Sequence, residues 1–297
     1  MTRAPWYLGP LGHLRELPVP NPGIEDTVTR YGGIHQGLSG ARTVDITGQR
    51  GGFTLEWTAL LSDEFDYLRA LHLQLIPGPY RIIDPRYKNR LSTQSSSMQS
   101  VRGHLTSTAR ALGVTVYQNT SFQWANDWPE ELPLGIRSLR IYGYPTGGAQ
   151  LYPMRFDLGY FVPVFPEETV TFSIYAKSES PESHCAMGMN FLNDQLEDIG
   201  ESDYPRHVLN QEWQRISVTA TVPAGCVAVS PKVTPGQWNA PGDEAEPLRF
   251  AAPQFESGNT PTPWQLGGGA KVVGIETLTS SSPQYPYQDC TLTLVEL

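Results

Sequence analysis

The stretch FAAPQFESGNTPTPWQLGGGAKVVGIE, Phe250 to Glu276, decides how this chain is read. Its left half looks like the last strand of a compact β domain. After Gly267-Gly268-Gly269 another strand begins, and only about thirty residues of sequence follow. Within them Cys290, Leu292 and Leu294 alternate with Thr291, Thr293 and Val295, the period-2 signature of a half-buried strand. Two strands are marginal in water by themselves and have to join an existing sheet.

The nearest incomplete sheet lies upstream. GARTVDITGQRGGFTLEWTAL (residues 40–60) reads as two strands around a Gly-rich turn, with Phe53, Leu55, Trp57 and Ala59 alternating with Thr54, Glu56 and Thr58. SDEFDYLRALHLQL (62–75) reads as a helix, with Ser62 as its cap, Asp63 and Glu64 at the positive end of its dipole, and Phe65, Leu68, Leu71 and Leu75 as its apolar stripe. STQSSSMQS (92–100) has the composition of a linker. Beyond it, GVTVY, IRSLRIYGY, TVTFSIYAKS, CAMGMNF, WQRISVTATVP, VAVSPKV and LRFAAPQFE follow one another as short strands, the spacing of a β-sandwich or jelly roll. Val170, Phe172, Ile174 and Ala176 share one face, as do Ile216, Val218, Ala220 and Val222.

The expected fold is therefore all-β, mainly strands with one short helix. A small sandwich- or barrel-like domain is formed by residues 1–92 and closed by 266–297, and a jelly roll of residues 93–265 is spliced into it. The Ser-rich run and the three glycines would be the hinges of the splice. Three independent pieces in a row is the competing layout.

Composition narrows the function. The 297 residues carry 28 Gly and 26 Pro along their whole length, which argues against a helical protein. Apolar content of 39% provides for real cores. The net charge of −9 has no basic block within it, so a nucleic-acid groove is not expected. Cys185, Cys226 and Cys290 are odd in number and widely spaced, so buried free thiols are expected rather than a zinc site or a disulfide framework. No run suggests a signal peptide or a membrane span, so synthesis in a reducing cytoplasm without membrane insertion is expected.

No catalytic or metal-binding set emerges, and no cofactor is expected. The six histidines lack HExxH or HxH spacing, GLSGA (37–41) lacks the form of a nucleophile elbow, and the paired carboxylates are neighbours in sequence rather than groups held across a cleft. LNDQLEDIGESD (192–203) reads as a solvated acidic loop. Calcium there would have only its carboxylates in favour, because the EF-hand pattern is missing. Aromatics give the richer signal, since Trp and Tyr rings stack on the apolar faces of sugars. Loop-like stretches place Trp124 and Trp128 (FQWANDWPEE), Tyr144 (IYGYPTGG), Tyr152 (QLYPM) and Trp238 (GQWNAPGDE) as the carbohydrate-binding candidates, Trp238 first. Each also reads as simple edge cover or core. Trp213 and Trp264 read as core.

Two separate segments resemble known families. GGFTLEWTALLSDEFDYLRAL and GPYRIIDPRYKNRLS, with the closing YPYQDCTLTLVEL, resemble minor tail proteins of long-tailed actinobacterial phages, of the distal-tail type. FSIYAKS, EWQRISVTATVPAG and APQFESGNTPTPWQLGGG are similar to jelly-roll carbohydrate-binding modules. Residues 1–39 match no pattern.

The resemblance implies a virion structural protein of the tail tip, not an enzyme. It implies a homo-oligomeric ring, commonly a hexamer, that joins the tail tube protein to tip or hub proteins and displays a module for host cell-wall glycan. A ring needs head-to-tail contacts that close on rotation, and a free strand edge suits them. Phe65 on the helix and Arg86, Lys88 and Arg90 in DPRYKNR are the expected contact residues, the last three as a basic cluster meeting an acidic partner surface. Two other readings stay open at this point: a secreted carbohydrate-binding accessory protein, and a cell-wall glycan depolymerase.

Overall fold

The computed structural model describes residues 5–36, 39–44, 48–103, 113–116, 121–132, 136–142, 154–235 and 247–297. The fold is all-β, as the alternating runs predict. Among the described residues there are two helices, Ser62–His72 and Thr93–Ser96. The chain divides into two compact units, one of Met1–Ile83 with Lys271–Leu297 and one of Asp84–Ala270.

In the first unit a sheet runs in the order Arg15–Leu17, Trp6–Pro10, Tyr80–Ile83, Ala270–Gln284, Tyr287–Glu296, Gly48–Leu61, Glu25–Tyr31. The late strand Tyr287–Glu296 pairs antiparallel with Gly48–Leu61, setting Leu292 opposite Leu55 and Leu294 opposite Phe53. These four residues are buried with Trp6, Leu8, Trp57 and Ile82 in one apolar cluster. The alternation of the early strand stops at Ala59. Its φ is 59°, the register slips there, and its N–H donates to Asp289 Oδ1 (3.0 Å). This bulge turns Ala59 outward and Leu60 inward.

The helix also departs from expectation at both ends. Ser62 is not its cap. Leu61 holds the extended cap position, the Glu64 carboxylate accepts the Leu61 N–H (3.2 Å), and the Ser62 hydroxyl donates to the Pro286 carbonyl (2.6 Å). The helix stops at His72 because Gln74 turns left-handed (φ 56°), with the Tyr80 hydroxyl 2.6 Å from the Leu71 carbonyl. Leu68 and Leu71 enter the core, Phe65 is half-buried against it, and Leu75 lies beyond the helix, exposed.

The second unit is a two-sheet sandwich. One sheet has the order Ser121–Ala125, Ser138–Tyr142, Leu248–Ser257, Thr169–Ser178, Gln214–Thr221. The other follows Asp198–Glu201, Ser183–Leu192, Ala228–Pro235, Met154–Phe156, Val114–Val116, Val101–Gly103, with Arg206–Leu209 added on Ser183–Leu192 and Val162–Pro163 on Ala228–Pro235. Val170, Phe172, Ile174, Ala176, Ile216 and Val218 point from the first sheet into a core shared with Met187, Met189, Phe191 and Val233 of the second. Phe172 and Phe156 meet in it, ring centroids 5.3 Å apart. The three cysteines are buried free thiols. Burial pushes Cys185 up to about 12 and Cys290 up to about 11, so both stay protonated and unreactive near neutral pH.

Neither expected hinge is a loose tether. Ser92 caps the helix Thr93–Ser96, Ser95 and Ser96 are fully buried, and Met98 lies in the sandwich core. The Asp157 carboxylate accepts the Ser92 N–H (2.8 Å) and the hydroxyls of Ser92 (2.5 Å) and Ser95 (2.8 Å). The glycines pack directly on this segment. The N–H groups of Gly267, Gly268 and Gly269 donate to Ser96 Oγ (2.7 Å), Leu91 O (2.7 Å) and Asn89 O (2.9 Å). A Cβ at Gly267 would lie 2.3 Å from the Leu91 carbonyl oxygen, and one at Gly269 would lie 2.7 Å from that of Tyr87. Glycine is required here for close backbone approach rather than for flexibility. The segment from Asp84 through Ser92 therefore lies in the second unit, upstream of the boundary suggested by the Ser-rich composition.

Candidate functional site

Strands of the eight-stranded sheet alternate between core and outer face. Cys185, Met187, Met189 and Phe191 point inward, so Ala186, Gly188 and Asn190 point outward. The same logic turns Ser230, Lys232 and Thr234 outward between Val229 and Val233, Arg155 outward between Met154 and Phe156, and Thr115 outward between Val114 and Val116. Register then lines them up. Gly188 is opposite Lys232, Lys232 opposite Arg155, and Arg155 opposite Thr115, with Asn190 opposite Ser230 one row away.

Tyr204 lies at the Gly188 end of this row. Gly188 leaves it room, since a Cβ there would stand 2.3 Å from the Tyr204 ring. Lys232 Nζ is 5.0 Å from the ring centroid and pairs with Glu201 at 2.7 Å. The Tyr204 hydroxyl hydrogen-bonds Thr234. Burial pushes that hydroxyl up to about 12, against the opposing effects of the Thr234 bond and the Arg155 charge. The Asn190 amide donates to Asp198 and contacts Glu201 Oε1 at 3.4 Å. The acidic run is thus not merely a loop, because Asp198–Glu201 is an edge strand on Ser183–Leu192.

This face is polar yet shielded from solvent. Thr115, Asn190, Ser230, Lys232 and Thr234 are all less than a tenth exposed. Four of its buried atoms have no hydrogen-bond partner: Thr115 Oγ1, Arg155 Nε, Asn190 Oδ1 and Ser230 Oγ. Buried polar groups normally find partners, so four unpartnered atoms clustered on one face call for an explanation. A half-buried tyrosine ring beside fixed donors and acceptors suits a sugar, which offers apolar C–H faces and a rim of hydroxyls.

The other sheet has a polar row that is already satisfied. Arg140, Arg249 and Lys177 are cross-strand neighbours. Arg140 and Arg249 hold Glu179 at 2.7 and 2.8 Å, while Arg249 and Lys177 hold Asp127 at 2.8 and 2.6 Å. Hydrogen bonds from Arg140 hold the Glu179 carboxyl down to about 2 against the effect of burial, and Arg249 adds to them. Burial raises Asp127, but Lys177, Trp213 and Arg249 together outweigh it and hold it low. Trp213 is partly buried, packed against the apolar cluster that holds Trp264; it also lies under Lys177, with Nζ 5.0 Å from its ring, and donates to Asp127 (3.3 Å). Trp264 is buried.

The candidates read from sequence fall in different places. Trp238, Tyr144 and Tyr152 lie outside the described residues. Trp124 and Trp128 are exposed, 41% and 37%; Trp124 is on Ser121–Ala125, the edge strand of the five-stranded sheet, and Trp128 follows that strand, whereas Tyr204 connects two strands of the eight-stranded sheet. The Trp124 indole donates to the Met98 carbonyl (3.0 Å). The basic cluster is not a free one. Arg90 is paired inside the unit with Glu168 (2.6 Å), both side chains nearly buried, and Arg86 is clamped on the fully buried Asp84 (2.7 Å). Lys88 remains exposed. Sequence reading missed Tyr204, Arg155, Lys232 and Asn190. A signal for Lys232 was present in the polar half of VAVSPKVT, where Ser230, Lys232 and Thr234 repeat every second residue.

No family model matches this sequence, and no curated protein matches it. Solved structures do resemble it. The likeness is one of fold. A CBM22-1 xylan-binding domain from Paenibacillus barcinonensis Xyn10C is 13% identical, with 50% of this chain and 88% of that one covered, at a TM-score of 0.35. The enzymatically active domain of bacteriophage CBA120 tailspike protein 4 is 14% identical over 58% of this chain, at a TM-score of 0.39. An arabinose-bound MgGH51 α-L-arabinofuranosidase is 14% identical over 59%, at 0.41. The matches span only 22% of the tailspike chain and 27% of the arabinofuranosidase chain. Among the described residues no group of three His, Cys, Asp or Glu is placed to hold a metal, and no helix is long and apolar enough to cross a membrane.

Proposed function

We propose that this chain is a non-enzymatic virion structural protein of a phage tail tip whose second unit binds host cell-wall glycan. The observation that carries the glycan reading is the outer face of the eight-stranded sheet, where Tyr204 sits over Gly188 beside Lys232, Arg155, Asn190 and four unpartnered buried polar atoms. The tail reading is supported by the resemblance of residues 51–71, 78–92 and 285–297 to distal tail proteins. In that role the protein assembles as a closed homo-oligomeric ring, a hexamer, between tail tube and tip proteins. Each copy's weak site then counts many times over through avidity.

The test is sedimentation of the purified protein with insoluble cell-wall glycan from actinobacterial cells, alongside its mass in solution. Wild type co-sediments, Tyr204→Ala loses at least about tenfold in retention, the magnitude of a lost sugar-stacking ring, and no soluble saccharide is released. Retention that Tyr204→Ala leaves intact removes this face as the glycan site. Release of reducing sugar overturns the non-enzymatic reading, and a monomer at all concentrations overturns the ring.

A further inference from the structure

Among the described residues Arg155 is the charge of the polar face that has no opposite charge paired with it. Lys232 is matched by Glu201, and Asp198 and Glu201 are both engaged by Asn190 or Lys232. Asp157, two residues from Arg155, gives its oxygens to Ser92, Ser95 and the Gly113 N–H (3.1 Å). Arg155 has no carboxylate partner among the described residues, and its buried Nε has no hydrogen-bond partner. A partly buried guanidinium without an anion is unfavourable, and its fork of donors fits a carboxylate bidentately. The hydroxyl oxygen Thr115 Oγ1, also unpartnered, is on the next strand in register.

Gly188, under the Tyr204 ring, Lys232 and Arg155 follow one another across adjacent strands, which lie about 4.8 Å apart. A sugar ring set against Tyr204 would therefore bring a substituent within reach of Arg155. Lys232, held by Glu201, serves the ring rather than the charge. We propose that this face is specific for an acidic saccharide, a uronic-acid residue whose carboxylate is received by Arg155 while its ring lies against Tyr204. This rests on the glycan-binding reading of the same face.

The experiment measures binding of the full chain, by calorimetry, to a glucuronate-containing oligosaccharide and to the same oligosaccharide with its carboxyls reduced to alcohols. The acid form should bind at least about tenfold tighter, the effect of one charge-assisted pair, and this margin should shrink as salt rises from about 0.05 to about 0.5 M. Arg155→Gln should erase the margin, so that this variant binds the acid and reduced forms alike. Arg155→Lys should keep only part of it, because a point charge lacks the fork. Melting curves of both variants at or above wild type show that the face still folds, since an unpaired cation has been removed or replaced. Equal binding of acid and reduced forms by wild type, or a margin that survives Arg155→Gln, overturns the inference while leaving glycan binding in place. Binding of neither form, together with an unaffected Tyr204→Ala in cell-wall sedimentation, overturns both readings.

Discussion

Replacing Gly267 with Ala perturbs the seam between the glycine run and the segment Asn89–Ser96. The added methyl would lie 2.3 Å from Leu91 O, 2.6 Å from Ser92 O and 2.8 Å from Ser96 Oγ, where ordinary contact begins near 3.4 Å. The two backbones would have to part by about 1 Å. Neither can rotate away, because both oxygens at closest approach belong to the main chain. Such overpacking costs about 1–3 kcal/mol. The same movement breaks the Gly267 N–H to Ser96 Oγ bond (2.7 Å, buried), which adds about 1–3 kcal/mol for a stranded donor. With roughly 2–4 °C per kcal/mol for a unit of this size, the melting temperature should fall by about 4–24 °C. Differential scanning calorimetry reads this directly. Gly225→Ala is the control. Gly225 has φ 78° but open space around it, so it should lose only about 1–2 kcal/mol of left-handed strain. Gly267→Ala melting no lower than Gly225→Ala would refute the close-approach argument and restore the glycines as a plain hinge.

Two further outcomes follow from the packing. The Glu179 carboxyl is lowered in the folded state from 4.5 to about 2, so its contribution is fully present above pH 4.5 and disappears as pH falls toward 2. Allowing for its 26% exposure, urea unfolding should find Glu179→Gln about 1–2 kcal/mol less stable than wild type at pH 6 and much closer to it at pH 2.5, whereas an equal gap at both pH values would contradict the assignment. Leu292→Ala, in the fully buried middle of Tyr287–Glu296, should destabilise the first unit by about 2–5 kcal/mol, and a loss below about 1 kcal/mol would mean that this strand does not complete its core.

What could be read from the sequence was what depends on neighbours along the chain. The alternation in TVTFSIYAKS and WQRISVTATVP gave strands and an all-β fold, since side-chain direction repeats every two residues whatever the tertiary setting. The Ser-rich run misled because its burial depends on Asp157, more than sixty residues away, which satisfies the hydroxyls that composition reads as solvated. Arg90 misled in the same way, its partner Glu168 being 78 residues distant. The outer polar face was invisible because Arg155 and Lys232 become neighbours only through strand pairing, and because Tyr204 owes its place to a missing side chain at Gly188.

The position of Tyr287–Glu296 between two other strands dictates the order of events at the ribosome. The strand Gly48–Leu61 is made early, but one of its two neighbours is translated only after the 187 residues of Asp84–Ala270. At about 5–20 residues per second that interval lasts roughly 10–40 s. The second unit has all its strands first, so the later-encoded sandwich is complete in sequence before the earlier-encoded sheet is. Throughout that delay the nascent chain carries a long open strand edge that any other copy on the same messenger could capture.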